Sequence, residues 1–306
     1  MSKTNKNPIA VFGEVLIDQF PGGQRILGGA PFNVAWHLQA LGQNPCFISR
    51  IGSDETGQLI QNAMNTWGMS TAALQIDPIH PTGTVAVSFE QGEPRYEVLT
   101  EQAYDFVNPE TLNLTTAYSI IYHGTLALRH PVSEQALKTL SAQTKGKIFI
   151  DVNLRDPWWQ KEAVNEWLST AYWVKLNHEE FTALSSVQSG FQNSLRETMQ
   201  HFLIHYELEA LVVTCGHLGA KALSQDGEFV EVFPSDQLSV VDTVGAGDAF
   251  SAVLLLGLQL GWSLSTTMAR AQAFASASVT QLGATVQTLD FYQPFINEWH
   301  LSETQL

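Results

Sequence analysis

The stretch from Val240 to Leu260 constrains this chain more than any other. An apolar run leads into Asp242-Thr243-Val244-Gly245-Ala246-Gly247-Asp248, and the segment from Ala249 to Leu260 that follows is almost wholly apolar. A segment that is apolar on every face reads as a buried helix, and it falls short of the roughly twenty residues a membrane span needs. Gly245 and Gly247 carry no side chains, so the backbone N–H groups of the turn can crowd onto an anion, and the positive end of the helix points at the same spot. Asp248 sits inside that cradle. As a structural residue it is an acid favoured at a helix start. As a chemical one it would take a proton from a hydroxyl attacking a bound phosphate, and the helix dipole should keep it ionised and therefore a weak base.

The rest of the chain reads as an α/β alternation. Ile9 to Ile17 is a strand-length apolar run ending at Asp18, which is either a turn residue or a ligand contact at the carboxyl end of a buried strand. Gly28-Gly29-Ala30-Pro31-Phe32-Asn33 forms a tight loop feeding a short helix that stops at Gly42. Asn44 to Ile51 is a strand, and Asp54 caps a helix running to Trp67. Thr82 to Phe89 and Arg95 to Leu99, with Gly92 in the turn, read as a β-hairpin outside the alternation. Ser119 to His123, Lys147 to Val152, Tyr172 to Leu176 and Leu211 to Cys215 are further strands, with helices after Pro131 and from Asp156 through Trp158, Trp159 and Trp167. His123 reads as a structural histidine, and His201 and His205 as a solvated pair. Leu223 to Glu231 turns at Asp226-Gly227, and Thr266 to Leu282 is a small-residue helix.

Asp242 to Asp248 resembles the Asp-Thr-x-Gly-Ala-Gly-Asp signature of the ribokinase-like (PfkB) carbohydrate kinases, and Gly28 to Ala35 resembles the Gly-Gly-Ala-Pro-x-Asn-Val-Ala signature of the fructokinase branch. The resemblance runs from Ile9 to about Ala284. It implies an α/β, three-layer fold with a mostly parallel central sheet flanked by helices, plus a small β-sheet lid. The expectation is one catalytic domain over 1–306 with lid strands inserted at about 17–27 and 83–100. It also implies Asp248 as base, Gly245, Ala246 and Gly247 as anion hole, and Asp18, Gly28, Gly29 and Asn33 as sugar contacts.

Asp151-Val152-Asn153-Leu154-Arg155 is similar to the family's Asp-x-Asn-x-Arg, making Arg155 a cation for the phosphoryl group or the sugar; a carboxylate-paired structural arginine is the alternative. Asn177 and Glu180 match the Asn-x-x-Glu motif linked to Mg²⁺ and phosphate placement, although the same residues spell an ordinary capping box. Thr214, Gly216 and Gly219 match the nucleotide loop, Thr243 falls in the main signature, and Gln272 stands near the adenine pocket where many members carry Asn. Asp242, Val244 and Gly283 would complete the K⁺ site of several members. ATP and Mg²⁺ are thus the implied cofactors.

Fructose is the expected acceptor. From Tyr96 to Phe106 there is no Arg or Lys, while Glu97, Glu101 and Asp105 are acidic, which disfavours the carboxylate of 2-keto-3-deoxygluconate. Phe32, Tyr96 and Tyr104 could stack on a base, which leaves a nucleoside acceptor open, and a catalytically silent sugar or nucleotide sensor is the alternative of another class. Fifteen basic against thirty acidic residues, a net charge of −15, oppose nucleic acid and anionic membranes as partners. The 306 residues, 44% hydrophobic and 15% charged, suit a globular protein. Cys46 and Cys215 read as reduced core thiols, and the start of the chain shows no signal-peptide core, so a cytoplasmic address is expected. Dimerisation through the lid is the expected assembly. Walker, Rossmann, nucleophile-elbow and zincin motifs are all missing from the sequence.

Overall fold

The computed structural model describes residues 7–301 apart from 91–92, 113–115, 186–193 and 236–238. Gly92, expected at a hairpin turn, lies outside the described residues. The strands are β1 (Ile9–Phe12), β2 (Leu16–Gln19), β3 (Arg25–Gly28), β4 (Cys46–Gly52), β5 (Leu74–Asp77), β6 (Gly83–Glu90), β7 (Glu93–Val98), β8 (Ile120–His123), β9 (Lys147–Asp151), β10 (Trp173–Asn177), β11 (Ala210–Thr214), β12 (Ala220–Ser224) and β13 (Phe229–Val232). The helices are α1 (Ala30–Ala40), α2 (Glu55–Thr66), α3 (Pro131–Gln143), α4 (Lys161–Leu168), α5 (His178–Leu184), α6 (Leu195–His205), α7 (Ala246–Leu260), α8 (Leu264–Ser278) and α9 (Leu289–Glu298).

Nine strands form one sheet in the order β13-β12-β11-β10-β9-β8-β1-β4-β5, parallel from β5 to β11. The last two strands, β12 and β13, join it antiparallel as the hairpin turning at Asp226-Gly227. Alternating residues of β1 feed two cores. Ile9 and Val11 pack with α1, α2, α7, α8 and α9, while Ala10 and Phe12 pack with α3, α4, α5 and α6. A sheet covered on both faces explains the continuous apolar runs of its strands. The small sheet has the order β3-β2-β6-β7, with β2 parallel to β6 and the other pairs antiparallel. Among the described residues, no helix is long and apolar enough to cross a membrane.

Two expectations need correction. The Ile9–Ile17 run is not one strand: β1 ends at Phe12, and the chain passes into the small sheet at Leu16, so Asp18 belongs to the small sheet. The break follows from packing, because the backbone of Glu14 and Val15 lies against Gly29, whose φ of 108° and lack of a side chain let it approach; a Cβ there would stand 2.6 Å from the Glu14 carbonyl oxygen. Similarly, Trp158 and Trp159 precede the helix expected from Asp156. Trp159 Nε1 donates to Asp156 at 2.7 Å in that loop, and α4 starts only at Lys161.

The root of the small sheet is fastened by Asp54. Its carboxylate caps α2 through the Gly57 N–H at 2.7 Å and accepts from the N–H and hydroxyl of Thr82, next to β6, at 2.8 and 2.7 Å. Desolvation alone would raise its pKa, but these hydrogen bonds outweigh it and the net shift is downward. Asp54→Ala should therefore cost about 1–3 kcal/mol in urea unfolding at neutral pH. A depressed folded pKa means this contribution is present above the ordinary carboxylate value and is lost as pH falls through the folded one. The difference from wild type should accordingly shrink below about pH 4.

Candidate active site

β1 lies between β4 and β8, so chain connections diverge to either side of it, and open α/β sheets bind ligands beyond the carboxyl ends of strands at such a point. Glu14 follows β1, His123 ends β8, Asp151 ends β9 and Asn177 ends β10. α7 begins above these ends. Its N-cap, Gly245, has φ 79° and lies so close to Ala284 that a Cβ would meet the Ala284 Cβ at 2.4 Å. No side chain caps the helix, which leaves its N-terminal turn open for an anion. Gly247 is exposed.

The two end signatures meet here. Asn33 of α1 donates from Nδ2 to Asp248 Oδ2 at 2.7 Å, across 215 residues of sequence, and its own Oδ1 is buried without a partner. The Asn33 amide therefore holds the carboxylate in place, beyond the sugar contact expected of it. Desolvation pushes Asp248 up to about 6; the Asn33 bond, Lys175 and Arg155 act downward and Asp151 upward. This reverses the expected weak base, since burial outweighs the pull of the helix end. The shift matches a general base to a pH near neutrality.

Beneath the turn is a buried polar network. Asp151 Oδ2 accepts from Lys175 Nζ at 2.7 Å, Ser251 Oγ at 2.7 Å and Tyr122 at 3.3 Å. Ser251 Oγ also lies 3.0 Å from the Gly247 carbonyl oxygen, and a Cβ on Gly247 would stand 3.6 Å from Lys175 Nζ. In the small sheet, Asp18 is half-buried, with its pKa raised by desolvation against the opposing charge of Arg155. A Cβ on Gly28 would lie 3.5 Å from Asp18 Oδ2. Arg155 is exposed, and among the described residues no carboxylate holds it in an ion pair, yet its charge reaches Glu14, Asp18 and Asp248. The pairing registers put Asp18, Val85, Val87, Tyr96 and Val98 on one face of the small sheet.

A family model described as pfkB family carbohydrate kinase matches residues 7–290. The chain belongs to this family. A fructokinase of Salmonella typhimurium is 30% identical over 295 residues, covering 90% of this chain and 94% of that protein. Among solved structures, the fructokinase of Xylella fastidiosa with bound ATP has a TM-score of 0.83 at 22% identity, covering 96% of this chain and 99% of its own. The aminoimidazole riboside kinase of Salmonella enterica, complexed with aminoimidazole riboside and an ATP analog, reaches 0.80 at 24% identity, covering 97% and 100%. Both share the fold with this carbohydrate kinase.

Several site expectations change in the kinase. Tyr104 is fully buried; its hydroxyl accepts from Arg129 at 2.9 Å, and the guanidinium lies 5.3 Å over its ring, so it offers no face to a base. Phe32 is likewise buried, packed on Trp36 and Phe47 in the core, whereas Tyr96 is 54% exposed. Asn177 and Glu180 form the capping box: Asn177 Oδ1 accepts from Glu180 N–H, and the two Glu180 oxygens accept from Asn177 and Leu154 N–H at 2.8 and 2.7 Å. With both oxygens committed, the pair fits Mg²⁺ only through water. Asp242 accepts from Val244 and Gly283 N–H, both at 3.0 Å, which draws together the segments expected around K⁺. Thr214 Oγ1 lies 3.4 Å from the Leu176 carbonyl oxygen, Gly216 and Gly219 bracket a short 3₁₀ turn, Thr243 is exposed, and Gln272 donates to Ser276 at 3.0 Å along α8.

Sequence reasoning passed over Glu14, Lys175, Ser251, Arg129 and His37. Glu14 and Lys175 carried a signal, each being a charge inside an apolar strand-like run. His37 is buried on α1, bonded to Tyr292 at 2.9 Å and to the Ala284 carbonyl at 3.1 Å, with burial pushing its pKa down to about 4. The ion pair under the turn is the most exacting of these features. Lys175→Met and Asp151→Asn should each cost about 3–5 kcal/mol, because each strands a buried partner, and Asp151→Leu combined with Lys175→Met should recover most of that loss in urea unfolding.

Proposed function

We propose that this carbohydrate kinase transfers the γ-phosphate of ATP to a hydroxymethyl group of a neutral sugar, with fructose the favoured acceptor. The observation that carries the reading is the 2.7 Å bond from Asn33 to Asp248 at the uncapped start of α7, which joins an oriented base to an anion cradle. Asp18 and the backbone at Gly28 and Gly29 would hold sugar hydroxyls, with the unpartnered Asn33 Oδ1 as a further acceptor. Asp248 takes the proton of the attacking hydroxyl, and the N–H groups of the Gly245 to Gly247 turn steady the phosphoryl oxygens. Arg155, exposed and with its charge acting on both Asp18 and Asp248, would meet the phosphoryl group or the sugar. Mg²⁺, when bound with the nucleotide, would neutralise phosphate charge, reached from Asn177 and Glu180 through water. Thr214, Gly216, Gly219 and Thr243 are the nucleotide contacts of this reading, with Gln272 near the base.

Support for fructose is the name of the Salmonella typhimurium relative together with the carboxylates of Glu14, Asp18 and Asp248 around the acceptor, which repel an acidic sugar. A nucleoside acceptor is the second reading. Tyr96, largely exposed on the face that carries Asp18, is the observation that favours it. The small sheet acts here as the cover that excludes water. Its outer strands β3 and β7 leave open edges, which suits a homodimer through this sheet, to be read by light scattering.

Asp248→Asn should lower kcat by about 10²- to 10⁴-fold while ATP binding and melting temperature stay close to wild type. Near-normal turnover would refute the base. The base must be ionised, so kcat/KM should fall about tenfold per pH unit below a limb near pH 6, and Asp248→Asn should abolish that limb. A coupled ADP-release assay over neutral sugars, acidic sugars and nucleosides identifies the acceptor; turnover confined to acidic sugars would overturn the preference.

A further inference from the structure

Two buried polar groups of opposite character, Glu14 and Arg129, each keep one atom without a partner among the described residues. Glu14 is 3% exposed, at the end of β1 where connections diverge across the sheet, and its Oε2 has no hydrogen-bond partner. Arg129, just before α3, has a side chain only 5% exposed. Its Nε and Nη2 are held by the Asp105 carboxylate at 2.8 Å each, Nη2 also reaches the Leu99 carbonyl and the Tyr104 hydroxyl, and the guanidinium lies 4.9 Å over the Trp158 ring. Nη1 is buried and has no partner among the described residues.

A Cβ on Gly83 would stand 2.5 Å from the Val15 carbonyl oxygen and 2.8 Å from the Tyr104 ring, so Tyr104, and Arg129 bonded to its hydroxyl, lie close to the segment that carries Glu14. Desolvation pushes Glu14 up to about 7, its own N–H and the charges of Arg155 and Arg129 act downward, and Asp248 acts upward. The hydroxyls of Tyr104 and Tyr122 both feel the Glu14 charge. Glu14 thus lies within electrostatic reach of both Asp248 and Arg129. Native folds leave few buried polar atoms unpaired, since each costs a desolvation penalty with nothing in return. A hydroxyl, which donates and accepts at once, would satisfy both atoms.

We propose that Glu14 and Arg129 together hold a second hydroxyl of the acceptor, remote from the one phosphorylated, and so select polyhydroxylated neutral acceptors. This rests on the sugar-kinase reading of the same site. An acceptor without that hydroxyl would leave a carboxyl and a guanidinium nitrogen unpaired, which is how a polar pocket rejects a deoxy analogue far more strongly than an apolar pocket rejects an added methylene.

The test is calorimetric binding of the best acceptor and its monodeoxy analogues to wild type, Glu14→Leu, Glu14→Gln and Arg129→Lys, with melting temperatures and affinity for a non-hydrolysable ATP analogue alongside. Glu14→Leu should weaken the full acceptor by ~10-fold or more, and Glu14→Gln, which can still donate and accept, should recover most of that. One deoxy analogue, altered away from the phosphorylated position, should bind wild type poorly and lose nothing further in Glu14→Leu or Arg129→Lys. Melting temperature in Glu14→Leu should not fall, because a buried acid has been removed. The proposal is overturned if all analogues lose the same factor, if the full acceptor is unaffected, or if Glu14→Leu merely melts earlier. Binding is read apart from turnover, so acceptor binding without ADP release would defeat the kinase reading and leave the Glu14 result standing.

Discussion

The buried pair of Lys175 and Asp151 is the interaction on which the rest of the site depends. An amino group and a carboxylate this deep in the protein persist because each is the other's partner and because Ser251 and Tyr122 share the carboxylate oxygen. Ser251 is one turn into α7 and also meets the Gly247 carbonyl oxygen, so the pair reaches up into the head of that helix. From the other side Gly245 is pressed on Ala284, whose carbonyl oxygen is held by His37 of α1. The same α1 supplies Asn33 to Asp248. The start of α7 is thus clamped between the sheet below and two segments distant in sequence.

That clamp accounts for an electrostatic feature of the site. A carboxylate at a helix start is ordinarily comfortable as an anion, but Asp248 is hemmed in by protein and within reach of the Asp151 and Glu14 charges, so its proton affinity rises. Cations hold this in check from two directions, Lys175 from below and Arg155 from the solvent side. The buried cation is fixed by its carboxylate partner, whereas the exposed one has no ion-pair partner among the described residues. In the proposed reaction the first would belong to folding and the second to the ligand.

Much of this was legible in the chain. Strand-length apolar runs separated by capped helices dictated a sheet covered on both sides, and the uniformly apolar segment after Asp248 became α7 in the core. Local signals also located Asp54, Asp226-Gly227 and the Asn177–Glu180 box. Contacts between distant segments were not legible. Nothing in Ile9–Ile17 marks the point where the chain leaves one sheet for another, because that point is set by Gly29 pressing on Glu14 and Val15. Tyr104 reads as an aromatic available to a ligand until Arg129 covers it. Glu14 and Lys175 were visible as charges out of place, but the groups that act on them, Arg155 and Asp248 on the one and Asp151 on the other, come from distant segments.

The passage between the two sheets has a mechanical consequence. Only residues 13–15 separate β1 from β2, and Gly29 packs on that link, while Asp54 rivets the neighbouring strand at Thr82. Glu14 therefore occupies the link between the two sheets. In the proposed reaction, any tilt of the small sheet over its acceptor would be passed straight to Glu14, since three residues leave no slack between β1 and β2 to take it up.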